Sequence, residues 1–270
     1  MGVTVSFKKA FITVLTFIVL INPAYASNLY LFRSDLNNNE FLVDTVEFDT
    51  PYCVDNSWYP LREAAEYLPI DVLWDADTRE IIIYRDDDIG CHTMRAATRM
   101  NCNKILAFAN DVKVVDGVTY CSANFLCQRI RGISFTMNGD LYFYQGDLRN
   151  ASYISDAGNA VFRPYVNTAM YELYLKCPGD YKFVKEYLPG GIRYINKKDT
   201  PYYYANGYVY ASVENPFCYI VGEDKTGATL ASIIAHEAMH AYQFNLGIEN
   251  SESIARQYEK ELLRKMTSLW

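Results

Sequence analysis

The chain reads as an α+β protein of two domains. Three observations lead there. Between residues 54 and 144, a pattern of turn, short amphipathic helix and β-hairpin occurs twice. Residues 146–158 are polar and turn-rich, as a linker is. After them come two helical stretches, a group of tyrosine-rich strand signals and, last, two helices separated by a glycine. The implied boundaries are 1–26 for an export signal, 27–148 for a first domain and 149–270 for a second.

The N-terminus supplies positive charge at Lys8 and Lys9, then an apolar run over residues 10–21 that is too short for a comfortable membrane span. Ala24-Tyr25-Ala26 offers a small-residue cleavage site before Ser27, the alternative being an uncleaved anchor. No later stretch is apolar enough to cross a bilayer, so a chain cleaved there has no transmembrane segment. Cleavage leaves 244 of the 270 residues and moves the formal charge from −7 to −9, since two lysines leave with the signal. An acidic chain without a basic cluster is not built for nucleic acid. The expected location is therefore secreted or at the cell surface.

Seven cysteines suit an exported chain. Cys177–Cys218 is the first expected disulfide and Cys121–Cys127 a local one. The odd count leaves at least one thiol free or paired outside the chain. None has Cys-x-x-Cys spacing, so no metal chemistry is assigned to them.

In the first domain, residues 54–68 read as a turn and a short helix. Residues 72–75 and 80–84 follow as a hairpin, with the turn between Asp75 and Arg79. Glu63 and Glu66 form a solvated helix face. A fainter copy runs from Val115 to Tyr120, through Phe125 and Leu126, to a hairpin of residues 133–135 and 141–144 around Asn138-Gly139, a strong turn signal. Tyr59-Pro60-Leu61-Arg62-Glu63 and Val72-Leu73-Trp74-Asp75 resemble the stalk-type domain named after the N-terminus of copper amine oxidases. That resemblance implies a non-catalytic module with a cell-envelope partner, and no copper. The second copy departs from it, having Cys121-Ser122 where the first has Pro60-Leu61.

The second domain starts with helices over residues 166–175 and 181–188, the first ended by Cys177-Pro178-Gly179-Asp180 and the second by Pro189-Gly190-Gly191. Strand signals follow at 192–195, 202–205, 208–212 and 217–221, with Asn206-Gly207 as a turn between the second and third. The next segment carries the chemistry. His236-Glu237-Ala238-Met239-His240 lies in a mostly apolar helical stretch, where positions i and i+4 share one face. Both imidazoles can bind one ion there. Glu237 sits beside them, where a carboxylate can take a proton from a water that the ion activates. Polar groups in so apolar a helix need partners, and a metal is one.

A third ligand is needed. His92 is far upstream in the other domain, so a carboxylate is the better candidate. The motif helix should stop at Gly247, and a second should begin near Asn250 or Ser251. Glu252 and Glu259, seven apart, share one face of it, and Ala255 between them permits close approach. Geometry alone does not separate the two glutamates. The string from His236 to Gln243, followed by Glu252-Ser253-Ile254-Ala255, resembles the gluzincin metallopeptidases. That resemblance implies Zn2+ held by His236, His240 and Glu252, with Glu237 catalytic and a peptide or protein as substrate. Residues 208–212 would then be the edge strand that receives the substrate. Tyr242 and Tyr258 lie near enough in sequence to be weighed as oxyanion donors. Tyr242 points away from the histidine face, and the donor stays unassigned. Two other functions use the same residues: a recognition module that keeps the metal site for structure, and a zinc hydrolase of a non-peptide amide or ester.

Overall fold

A computed structural model describes residues 25–35, 40–50, 57–77, 80–85, 97–101, 111–130, 132–145, 162–202, 204–222, 225–248 and 250–268. The signal through residue 24, the linker at 146–158, His92, Cys53, Cys91 and Cys102 lie outside these residues. Among the described residues the fold is mixed α+β, as the sequence predicts. No described helix is long and apolar enough to cross a membrane.

Residues 25–50 form the longest hairpin; Tyr25 and Ala26, read from the sequence as the end of the export signal, lie in its first strand. β1 (Tyr25–Asp35) and β2 (Glu40–Thr50) pair antiparallel along their whole length. Strand–helix–hairpin then occurs twice. The first set is β3 (Trp58–Pro60), the single turn α1 (Leu61–Ala64), β4 (Ile70–Asp75) and β5 (Glu80–Arg85), with β6 (Ala97–Asn101) added beside β5. The second is β7 (Val112–Val115), β8 (Val118–Ser122), α2 (Ala123–Arg129), β9 (Ser134–Met137) and β10 (Asp140–Tyr144). The strands that lead into the two helices pair with each other, Tyr59 opposite Cys121. The expected Asn138-Gly139 turn is present, with φ of 55° and 84° closing a two-residue hairpin. α2 outlasts α1 for a local reason. Ser122 Oγ accepts from the Phe125 N–H at 3.1 Å, whereas Pro60 gives α1 no side-chain cap. Glu63 and Glu66 are exposed, as a solvated face requires.

β1 lies parallel to β10, giving a sheet of order β2-β1-β10-β9. The buried Tyr59 locks it: its hydroxyl donates to the Asn28 carbonyl at 2.6 Å and accepts from the Leu141 N–H at 2.8 Å.

The C-terminal elements are α3 (Phe162–Lys176), α4 (Pro178–Tyr187), β11 (Ile192–Ile195), β12 (Gly207–Tyr210), β13 (Phe217–Val221), α5 (Gly227–Asn245) and α6 (Glu252–Ser268). α4 starts three residues earlier than expected, because Pro178 at its first position has its φ already set for a helix. Of the strand expected over 202–205, the described residues Tyr202, Tyr204 and Ala205 are not in a strand. Ala205 N–H bonds back to the Tyr202 carbonyl in a turn, and Asn206-Gly207 leads directly into β12. The partner of β12 is β13, so the small sheet runs β11-β13-β12 with β12 at its edge.

One large apolar core gathers residues of β1 to β5 and β7 to β10, and another gathers α3 to α6 with the small sheet. α3 touches both: its Tyr171 ring packs on Phe32 and Phe135, while Phe162, Val166 and Met170 belong to the second core. A buried ion pair sits in that second region. Lys176 Nζ donates to Glu172 Oε1 at 2.8 Å and to the Met266 carbonyl at 3.3 Å. The other Glu172 oxygen lies beside Gly227 at the start of α5, where a helix dipole favours an anion. This pair ties α3 to one end of each motif-bearing helix. Glu172→Ala is expected to cost about 3–5 kcal/mol, because Lys176 would keep a buried charge without its counter-ion. Denaturant melts would show it, and a loss below about 1 kcal/mol would mean that the pair is relaxed by water.

Neither expected disulfide is present: no bridge joins Cys177 to Cys218 or Cys121 to Cys127. Cys218 faces the core from the central strand, and Cys177 sits at the start of α4. Cys121 is on β8, and Cys127 lies on α2 with Ser134 Oγ against its sulfur. Bridging needs matched Cβ positions, which sequence spacing does not supply.

Candidate metal centre

α5 packs against α3, α4, α6 and both β12 and β13, so it is buried almost all round. This is why its sequence shows little apolar–polar alternation. His236 and His240 nevertheless lie one turn apart with their rings edge to face, and both are 8% exposed. Their Nε2 atoms are 3.0 Å apart. α5 ends as expected at Gly247, whose φ of 66° turns the chain back. α6 begins at Glu252, and Ala255, fully buried, lets it come close to α5. Glu252 Oε2 thereby reaches 3.1 Å from His240 Nε2 and 3.7 Å from His236 Nε2. Its other oxygen accepts from Arg256 Nε at 2.7 Å. Arg256 is the main reason that the Glu252 pKa is held below the usual carboxylate range.

These three atoms fit a divalent cation. Zinc–nitrogen distances of about 2.0–2.1 Å in a tetrahedral site place ligand atoms roughly 3.3 Å apart, and the observed separations bracket that value. The proton inventory points the same way. His240 Nδ1 lies 3.2 Å from Gln243 Oε1, an acceptor; a proton on Nδ1 would satisfy that oxygen and leave the Nε2 lone pair for a cation. His236 Nδ1 lies 3.0 Å from Glu259 Oε2, close enough for an ion pair though off the line of a good hydrogen bond. Burial alone would lower the His236 pKa, but Glu259, Glu237 and Glu252 together raise it. Two imidazole nitrogens and one carboxylate oxygen thus converge, an arrangement that a cation stabilises.

The two glutamates are separated by position along α6. Seven residues are about 10 Å of helix rise, which carries Glu259 past the Nε2 atoms to the far nitrogen of His236. Glu252 joins the three-atom cluster and Glu259 stands behind it. Glu252→Gln is expected to weaken metal binding more than Glu259→Gln, whose loss should be about 10–100-fold as for other groups behind a ligand. The reverse ranking in a chelator competition would transfer the ligand role to Glu259.

Glu237 is 4% exposed and points to the small sheet. Its Oε1 rests on Gly207, where an added Cβ would come within 2.8 Å of that oxygen and 3.0 Å of the Tyr219 carbonyl. Only glycine leaves this seat open. Burial pushes the Glu237 pKa up to about 8, His236 opposes this, and Glu252 and Glu259 add to it. A dication beside it would pull it back down. Gly207 and Gln243 are the site residues that the sequence reading missed. Gly207 looked like half of a hairpin turn. Gln243 follows His240 by three, a spacing that shares a helix face and was the available signal.

A cleft of about 690 Å3 opens over the cluster. Residues 204–209 form one wall, His236, Glu237 and His240 the floor, and Glu252, Arg256, Glu259 and Lys260 the other wall. Neither tyrosine weighed as an oxyanion donor lines it. Tyr242 packs on Phe183 and Tyr187, as its position on the helix predicts, and Tyr258 donates to Asp180 Oδ1 at 2.8 Å. No protein-family model, curated protein or solved structure matches this chain.

Proposed function

We propose that the chain is an exported zinc-dependent metallopeptidase of gluzincin type. Residues 149–270 are the catalytic domain, and residues 27–148 are a duplicated stalk-like domain for a cell-envelope partner. The convergence of His236 Nε2, His240 Nε2 and Glu252 Oε2, beside the buried Glu237, carries this reading. Two imidazole nitrogens and one carboxylate oxygen suit zinc, and three protein ligands leave a place for water.

A bound zinc ion supplies Lewis acidity toward a carbonyl oxygen and toward water. The chain's own residues do the rest. Glu237, held between Gly207 and His236, accepts a proton from the attacking water on one carboxylate oxygen. It then returns that proton to the departing nitrogen. Gln243 offers an acceptor to His240 Nδ1, and the Glu259 carboxylate lies beside His236 Nδ1.

β12 favours a peptide over a small amide or ester. It is the edge strand of its sheet, it borders the cleft, and among the described residues no strand pairs with its outer side. An extended peptide can lie along it as an added strand. Val209 faces the α3–α6 core, while Tyr208 and Tyr210 pack with Tyr219 and Phe217 on the opposite face of the sheet. The test is cleavage of a peptide library by zinc-loaded protein. Cleavage of amides or esters without peptides would move the substrate class. No cleavage of any of them would favour the recognition-module function.

A further inference from the structure

We propose that Gln243 is a positioning residue for the metal centre: one side-chain amide sets the tautomer of His240 and fastens the start of α6, and with it Glu252, to α5. This rests on the metal-site reading above.

Gln243 is 2% exposed and lies in the last turn of α5. Its amide bonds both backbone groups of Ser251, the residue before Glu252. Oε1 accepts from the Ser251 N–H at 3.1 Å, and Nε2 donates to the Ser251 carbonyl at 3.3 Å. A backbone N–H can only donate and a carbonyl can only accept, so Ser251 decides which end of the amide is oxygen. That oxygen is the atom 3.2 Å from His240 Nδ1. An Nδ1 proton meets that oxygen and bares Nε2 toward His236 and Glu252. A free imidazole has no such constraint and favours the opposite tautomer.

The same side chain governs the third donor. Between α5 and α6 the chain makes a tight reversal, with Ile248 N–H bonded to the Gln243 backbone carbonyl and Gly247 at positive φ. Gln243 thus holds the reversal at its start through the backbone and at its end through the amide. Ser251 also accepts from the Ala255 N–H, so fixing Ser251 fixes the first turn of α6. Two of the three candidate donors depend on this one residue. Glu259 approaches only His236 among the three, as an ion-pair contact to Nδ1.

Two variants separate these roles from simple packing. Gln243→Met keeps the length and removes every polar contact. Gln243→Glu keeps the acceptors for His240 Nδ1 and the Ser251 N–H and gives up the donation to Ser251. Ring-nitrogen NMR of the metal-free protein, at a pH where His240 is neutral, should show Nδ1–H in wild type and in Gln243→Glu. Gln243→Met should shift toward Nε2–H. Zinc affinity by chelator competition should fall about 10–100-fold in Gln243→Met and largely return in Gln243→Glu. Wild type with His240 as Nε2–H overturns the proposal, and that reading needs no variant to fold. Equal zinc affinity in wild type and Gln243→Met also overturns it. Wild type that binds no zinc sinks the metal-site reading instead, and the NMR result still decides the tautomer.

Discussion

Glu237→Gln is expected to keep a full equivalent of zinc and to lose hydrolysis by about 10²–10⁴-fold, the usual contribution of a general base. The zinc should stay because Glu237 is outside the three-atom donor cluster, which is formed by His236, His240 and Glu252. The fold should stay because glutamine matches glutamate in volume and helix propensity. It should also fit the seat against Gly207, since its Oε1 can occupy the same place. What disappears is the group that can hold a proton between attack and departure of the leaving nitrogen. The measurement is cleavage of a peptide library by both proteins, with zinc content determined in each. Equal cleavage would sink the proposed role of Glu237. Loss of zinc together with activity would show instead that Glu237 supports the metal site.

The second large effect is on metal binding itself. His240→Ala should leave the protein with no zinc equivalent by elemental analysis. His240 makes the two shortest contacts of the cluster, 3.0 Å to His236 Nε2 and 3.1 Å to Glu252 Oε2, so its removal takes away the shared centre of the site. The loss should also be visible in stability. A ligand that binds only the folded state adds about 4 kcal/mol at a thousandfold excess over its Kd. Chelation should therefore lower the Tm of wild type and leave that of His240→Ala unchanged. A variant that keeps one zinc and its chelator response would place the metal elsewhere in the chain.

The legible parts of this protein are those that one short stretch of chain decides. The i,i+4 histidine pair needs only a helix, and the run from Leu230 to Ala241 had no breaker in it. Asn138-Gly139 could be read as a hairpin and Gly247 as a helix stop, because each needs a positive φ that these residue types accept. The strand at Ile192–Ile195 was legible for the same kind of reason, being a β-favouring segment bounded by Gly190-Gly191. Asn206-Gly207 shows where such reading stops. The dipeptide has the composition of a turn, yet Gly207 lies in β12, because β13 pairs with it and Glu237 occupies the space a side chain would need.

The sequence by itself determined the mixed α+β class, the common face of His236 and His240, and the short list of carboxylates able to join them. The resemblance favoured Glu252 over Glu259; the tertiary structure brings Glu252 Oε2 to the two Nε2 atoms and Glu259 to His236 Nδ1, an arrangement that turns on where α6 starts relative to α5 after the reversal at Gly247. Tertiary structure also put β1 beside β10 and β12 at a sheet edge, and it left the two expected cysteine pairs unbridged. Periodicity and φ preference act over one or two turns of chain and are written in neighbouring residues. The distance between Gly207 and Glu237, or between Gln243 and His240 once Ser251 has oriented the amide, depends on how separate segments pack against a common core, and no local pattern encodes it.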